Sequence, residues 1–247
     1  MRLLVSVVTE KEVAAAVEGG ADIVDVKNPR EGALGGNFPH VIRQVRKNTP
    51  SELDVSATIG DVPNLPGTVA LAALGASICG VQYVKVGLFG IQNPHDAVFL
   101  LQEVCRAVRA HDPGIQIIAA GYADADKVKA LPPFNLPAVA IDAGVNGCLM
   151  DTAIKGDGTL LTKLGDVQLQ HFVSQCKKAN LLCALAGSLS LKDIPYICKF
   201  GADIIGVRTA ACLGDRVNGR VDRQKVQQLK RIIALNASPS YAPFPSD

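Results

Sequence analysis

The feature that most limits what this chain can fold into is a short unit that recurs four times. A glycine closes a helix-like run at Gly20, Gly80, Gly144 and Gly201. A small apolar residue follows, then Asp22, Gln82, Asn146 or Asp203, and then a strand-like apolar run. With the four units aligned on their glycines, Asp25 and Lys85 fall at one register position. Lys27, Gly87, Asp151 and Arg208 fall two residues later. Side chains alternate along a strand, so the charged residues share one face. Val24, Val26, Val84, Val86, Met150 and Val207 share the other. A carboxylate and an amine on an otherwise apolar strand are costly to bury without a use.

Strand-like and helix-like runs alternate along the whole chain. The strands are read at Leu3–Val7, Ile23–Lys27, Asp54–Thr58, Tyr83–Val86, Ile115–Ala120, Gly147–Asp151, Leu182–Ala186 and Ile204–Arg208. The helices are read at Lys11–Glu18, Pro39–Lys47, Val69–Ile78, Pro94–His111, Pro137–Ala143, Val167–Ala179, Leu191–Lys199 and Asp222–Leu235. Thr9 with Glu12 three residues on has capping-box spacing. Pro132-Pro133 interrupts the fifth helical region, and about 15 residues from Thr152 to Asp166 read as a loop. Roughly eight strand–helix units in one direction give a single (β/α)8 TIM barrel with parallel strands as the expected α/β fold. The barrel domain is placed at residues 1–237, with a Pro/Ser-rich flexible tail at 238–247. A doubly wound open sheet is the rival. It calls for a glycine fingerprint after the first strand, where Val7-Val8-Thr9-Glu10 stands instead. In a barrel, the shared parity points the charged set into the mouth, at the carboxyl ends of the strands where barrel active sites are built.

A length of 247 residues with 48% hydrophobic content suits one such domain. A net charge of +2 with no basic run gives no reason to expect a nucleic-acid partner, and no apolar run is long enough to span a membrane. Seven scattered Cys without metal-type pair spacing point to reduced thiols in a cytoplasmic protein. The start, Met1 to Val7, reads as a first strand rather than a signal peptide. Oligomeric state, including a homo-oligomer, is left open.

Two lysines in a barrel mouth, each near a carboxylate, are the ingredients of carbonyl chemistry. An amine must be neutral to attack a carbonyl, and both desolvation and a neighbouring cation favour that form. Lys27 and Lys85 supply this for each other, and Lys155 adds a third amine. Asp25 and Asp151 shuttle protons or hold an ammonium. The alternatives are a layer of buried ion pairs, and a solvent-exposed Lys155 in its loop. Gly187-Ser188, thought to open a helix, and Gly206 with Arg208 occupy the loops where barrels bind phosphate, Arg208 adding a bidentate contact. The alternative there is ordinary turn glycines. Ser56 and Thr58 line the mouth or are simply β-formers, and Asp61 and Asn64 cover the site or make turns. His40, His95, His111 and His171 read as solvated helix positions, and Cys212 as filler. The loop Gly214–Arg220 folds over the entrance or lies on the surface.

Several stretches together resemble the (5-formylfuran-3-yl)methyl phosphate synthases, the methanofuran-biosynthesis enzymes of methanogens. They are Asp25-Val26-Lys27-Asn28-Pro29, the segment Ser56 to Asn64, Tyr83-Val84-Lys85-Val86-Gly87, Asp151-Thr152-Ala153-Ile154-Lys155, Ala184 to Ser188, and Gly206-Val207-Arg208. The resemblance runs from about Leu3 to Leu235. The Pro132-Pro133 interruption and the extended tail depart from it, and neither touches the site. It implies condensation of two glyceraldehyde 3-phosphate molecules to a furan aldehyde phosphate, with loss of phosphate and water and with no metal or organic cofactor. Carried over by motif, Lys27 is the Schiff-base lysine and Lys85 the proton acceptor, with Asp25, Asp151 and Lys155 assisting. In that scheme the Lys27 imine is deprotonated by Lys85 to an enamine, which attacks the aldehyde of the second triose. The competing readings are another class I aldolase or phosphosugar isomerase, and a phosphometabolite-binding barrel without catalysis.

Overall fold

In a computed structural model that describes residues 1–236, the recurring polar residue has the same task in all four units. Asp22, Gln82, Asn146 and Asp203 accept the backbone N–H of Leu3, Val55, Ile117 and Cys183, at 2.7–2.9 Å. Each returns its own N–H to the carbonyl of the same partner, at 2.8–2.9 Å. This two-bond clasp fixes the foot of one strand to the foot of the next. The glycine that ends each preceding helix has φ of +92, +83, +73 and +69, a region that L side chains rarely adopt. The repeat therefore marks four quarter-barrels, each of two strand–helix units.

The strands are β1 (Arg2–Val7), β2 (Ile23–Val26), β3 (Asp54–Thr58), β4 (Tyr83–Gly87), β5 (Gln116–Tyr122), β6 (Gly147–Asp151), β7 (Leu182–Leu185) and β8 (Ile204–Val207). They close a parallel barrel in chain order, with β8 back on β1. The clasps sit at the start of the even strands, and the charged residues sit at the ends of those same strands. Helices α1 (Val13–Glu18), α2 (Pro39–Asn48), α3 (Pro66–Ser77), α4 (Pro94–His111) and α5 (Leu136–Ala143) follow β1 to β5. Between β6 and β7 run α6 (Leu160–Lys163) and α7 (Asp166–Lys178), and α8 (Ile194–Ile197) follows β7. After β8 comes a small hairpin, β9 (Cys212–Leu213) with β10 (Arg220–Val221), and then α9 (Arg223–Asn236).

The parity argument holds in the packing. Val24, Val26, Val84, Val86, Met150 and Val207 belong to the large core between strands and helices. Leu4, Ile23, Ile118, Leu149, Ala184 and Ile204 form a second core that fills the barrel beneath the charged residues. Such a plugged interior confines ligands to the mouth.

Four local expectations are corrected. Thr9 makes no side-chain cap, because Glu12 is drawn inward to the barrel rim. The loop from Thr152 contains α6, at whose start the Thr162 hydroxyl accepts the Thr159 N–H. The helix after β7 starts only at Ile194, because Asp193 accepts from the Ser190 N–H and hydroxyl, and it continues past Ile197 as a 3-10 turn over Cys198–Phe200. Gly187-Ser188 therefore does not open a helix. The proposed tail at 238–247 lies outside the described residues.

Candidate active site

The even-strand ends bring Asp25, Lys27, Lys85 and Asp151 to the wall of one cavity of about 820 Å³, counted to its open mouth. Lys155, Gly187, Ser188, Gly206 and Arg208 line it too. That size suits a small ligand. Asp25 is fully buried, and three donors meet its carboxylate. Lys85 Nζ lies 2.6 Å and Ser56 Oγ 2.6 Å from Oδ1, and Ser6 Oγ lies 2.8 Å from Oδ2. Register explains the set, since Ser6, Asp25 and Ser56 are lateral neighbours on β1, β2 and β3. Burial alone raises a carboxyl pKa. Here Lys85, Lys27 and the Ser56 hydroxyl outweigh it and hold Asp25 below the usual range.

On the other side, Lys155 Nζ donates to Asp151 Oδ1 at 2.6 Å and to Thr152 Oγ1 at 3.2 Å. The Lys155 side chain is 14% exposed, so the reading of it as a surface lysine fails. Asp124, itself buried, accepts the N–H groups of Ala153 and Ile154 and fixes the turn that carries Lys155. Burial pushes the Asp151 carboxyl up, but Lys155 and Lys27 overcome it and bring its pKa down to about 2.

Lys27 stands between these two ion pairs. The only hydrogen bond of its amine among the described residues is a 3.3 Å contact to the Ala33 carbonyl. Burial lowers its pKa most. Asp151 and Asp25 oppose that fall while Lys155 and Lys85 add to it, and the result is about 8 against an ordinary 10.5. The folded-state pKa is therefore depressed. Charging Lys27 opposes folding below about pH 8, and the lost stability returns as pH rises toward 10.5. Replacing Lys27 with methionine leaves both carboxylates paired. The variant should gain about 1–3 kcal/mol at pH 7 in urea denaturation and lack the wild-type rise in stability above pH 8.

The phosphate assignments divide. Gly187 (φ +114) and Ser188 (φ +53) make consecutive left-handed steps beside Thr152 and Leu160. A side chain at Gly206 would crowd Ala186. Arg208 is corrected. Its Nη1 donates to the Ser6 carbonyl at 3.0 Å and to Glu12 at 2.9 Å. Its Nε donates to the Arg216 carbonyl at 3.1 Å and its Nη2 to the Gly219 carbonyl at 2.9 Å. Four of its five N–H groups are thus taken by the protein, so no bidentate face remains for an anion. Thr58 donates to the Gly35 carbonyl at 2.7 Å and braces the loop after β2. Asp61 accepts from the Leu34 N–H and from the buried Tyr122 hydroxyl, bracing the same loop. All four histidines are exposed.

A family model described as 4-HFC-P synthase matches residues 3–230. The chain belongs to this family. It is 50% identical over 233 residues, 94% of this chain and 99% of the relative, to the (5-formylfuran-3-yl)methyl phosphate synthase of Methanocaldococcus jannaschii. The enzymes of the same name from Methanothermobacter thermautotrophicus and Methanobrevibacter smithii are 47% and 44% identical, again over 94% of this chain, and are covered to 99% and 98%. Among solved structures, KGPDC from Streptococcus mutans superposes with a TM-score of 0.66 at 14% identity, covering 95% of this chain and 98% of that one. A 3-hexulose-6-phosphate synthase superposes at 0.63 with 18% identity, over 94% and 99% of the two chains. These two likenesses concern the barrel fold.

In this member of the 4-HFC-P synthase family, four site residues went unread in the sequence. Ser6 carried a usable signal, since it shares the strand parity of Asp25. Asp124 and Arg216 sit in loops, where no periodicity applies. Glu12 looked like a helix cap. It is buried, and it joins the end of β1 to the hairpin after β8 by accepting the N–H groups of Val8 and Val221 along with Arg208. Removing one partner of such a buried pair strands the other. Glu12→Ala should cost about 3–5 kcal/mol in urea denaturation, far more than an exposed ion pair.

Proposed function

We propose that this enzyme condenses two molecules of glyceraldehyde 3-phosphate into (5-formylfuran-3-yl)methyl phosphate through an imine on Lys27, in the making of a methanofuran-type cofactor. The family membership supports the product. The observation that carries the mechanism is the buried Lys27 amine, with a pKa near 8, set between the Lys85–Asp25 and Lys155–Asp151 pairs. At pH 7 about one such amine in ten is neutral, roughly 300 times the share of an ordinary lysine.

The neutral amine adds to the C1 aldehyde of one triose phosphate. Loss of water from the adduct gives the iminium, which is the electron sink. Lys85 first hands its ammonium proton to Asp25 across their 2.6 Å contact, and the neutral amine so formed accepts the proton from C2. The resulting enamine attacks the second triose. Asp151 is ionised in the resting enzyme, and it and Lys155 relay protons transiently as phosphate leaves, the ring closes and water is lost. Two triose phosphates equal the furan product plus one phosphate and two waters, so no oxidant enters. The turn at Gly187 and Ser188, with Gly206 beside it, is assigned to one substrate phosphate through backbone N–H groups.

Mass spectrometry of the products from glyceraldehyde 3-phosphate as sole substrate tests this reading. It expects a furan aldehyde phosphate and one free phosphate per turnover. An aldol adduct or an isomerised triose as the end product would point to an aldolase or isomerase instead. The pH profile is a second check. The rate at low substrate should climb about tenfold per pH unit below 8 and level off above it, as the free amine saturates. A plateau reached only near pH 10.5 would mean that Lys27 is not the titrating group.

A further inference from the structure

The condensation proposed above brings two phosphates into one cavity, and the Gly187–Ser188 turn serves one of them. We propose that Arg216, on the hairpin after β8, binds the phosphate of the triose that enters second. This rests on the two-triose reading.

Charge pairing singles Arg216 out. Of the other cavity cations, Lys85 is paired with Asp25, Lys155 with Asp151 and Arg208 with Glu12. Lys27 is the amine that must shed its charge. Arg216 lines the same cavity and has no carboxylate within salt-bridge distance among the described residues. Its guanidinium rests on two neutral acceptors of the loop after β2, the Gly32 carbonyl at 3.1 Å and the Pro29 carbonyl at 3.5 Å. A phosphate dianion outcompetes such carbonyls for a guanidinium fork.

Arg216 is also built into place. Arg208, locked to Glu12, donates to the Arg216 carbonyl at 3.1 Å and to the Gly219 carbonyl at 2.9 Å. Asp215 accepts the N–H groups of Val217 and Asn218 at 2.7 Å, and Arg30 reaches Asn218 at 2.9 Å from the loop after β2. The residue that looked like a phosphate ligand therefore holds the backbone of the one that takes that part. Position sets the order of binding. Lys27 and Gly187 belong to the barrel wall and its first turns, whereas Arg216 comes from the outer hairpin and meets what enters last.

The test compares wild type, Arg216→Gln and Arg216→Lys by furan formation against glyceraldehyde 3-phosphate concentration, and by borohydride trapping of a single triose on Lys27. Arg216→Gln should raise the KM for condensation about 10- to 100-fold, the loss expected when a phosphate loses a charged partner. Arg216→Lys should recover part of it. The triose concentration needed for half-maximal trapping should stay within about twofold of wild type, since the first triose does not use this residue. Equal weakening of trapping and condensation would overturn the order of binding. An unchanged KM in a wild-type background that does make furan would overturn the role of Arg216 alone. A wild type that makes no furan would remove the two-triose reading as well. Half-buried and bonded only to carbonyls, Arg216 is not needed for folding, and urea denaturation of both variants checks that.

Discussion

Lys27→Arg and Lys27→Met should each lower furan formation by on the order of 10⁴-fold or more, the scale of losing a covalent catalyst. The pair is informative because the two changes fail for different reasons. Arginine keeps a cation near Asp151 and Asp25, but its guanidinium does not form an imine with an aldehyde. Methionine removes the charge, and it should make the protein more stable while abolishing turnover. Loss of activity joined to a gain in stability is the signature of a buried group retained for chemistry. If Lys27→Arg kept a tenth of the wild-type rate, Lys27 would be an electrostatic residue and the imine scheme would fall.

Lys85→Met should have the next largest effect, on both rate and stability. Without Lys85, the fully buried Asp25 carboxylate keeps only the Ser6 and Ser56 hydroxyls as direct partners. Stranding a buried charge costs about 3–5 kcal/mol. The rate should fall by about 10²–10⁴-fold, the usual contribution of a positioned proton-transfer group. The step can be isolated by following exchange of the triose C2 proton with deuterated water. Exchange should fall with turnover in Lys85→Met while triose still becomes trapped on Lys27. Exchange at the wild-type rate in this variant would assign the proton to another base.

The barrel was legible because its signals are periodic. The glycine and the polar residue after it recur once per quarter-barrel, since the same clasp is needed at each even strand. Strand parity alone puts Asp25, Lys27, Lys85 and Asp151 on one wall. What parity does not carry is where a long side chain ends. Arg208 sits at the same aligned position as Lys27 and Asp151, yet its guanidinium turns to Glu12, which local spacing presented as a helix cap. That contact spans 196 residues of sequence, and no short-range pattern encodes it. The loops were opaque for a related reason. Arg216 is ordered by Arg208, Asp215 and the loop after β2, a set of long-range and turn contacts that leaves no repeat to read. The helix after β7 starts later than its apolar spacing suggests, because the Ser190–Asp193 turn keeps Leu191 to Asp193 out of it.

The most direct test of the account is borohydride reduction of the enzyme with glyceraldehyde 3-phosphate, followed by peptide mapping of the adduct. One triose phosphate fixed to Lys27, with trapping that rises through about pH 8, is the predicted result. No adduct at all, or an adduct confined to Lys85 or Lys155, would contradict it.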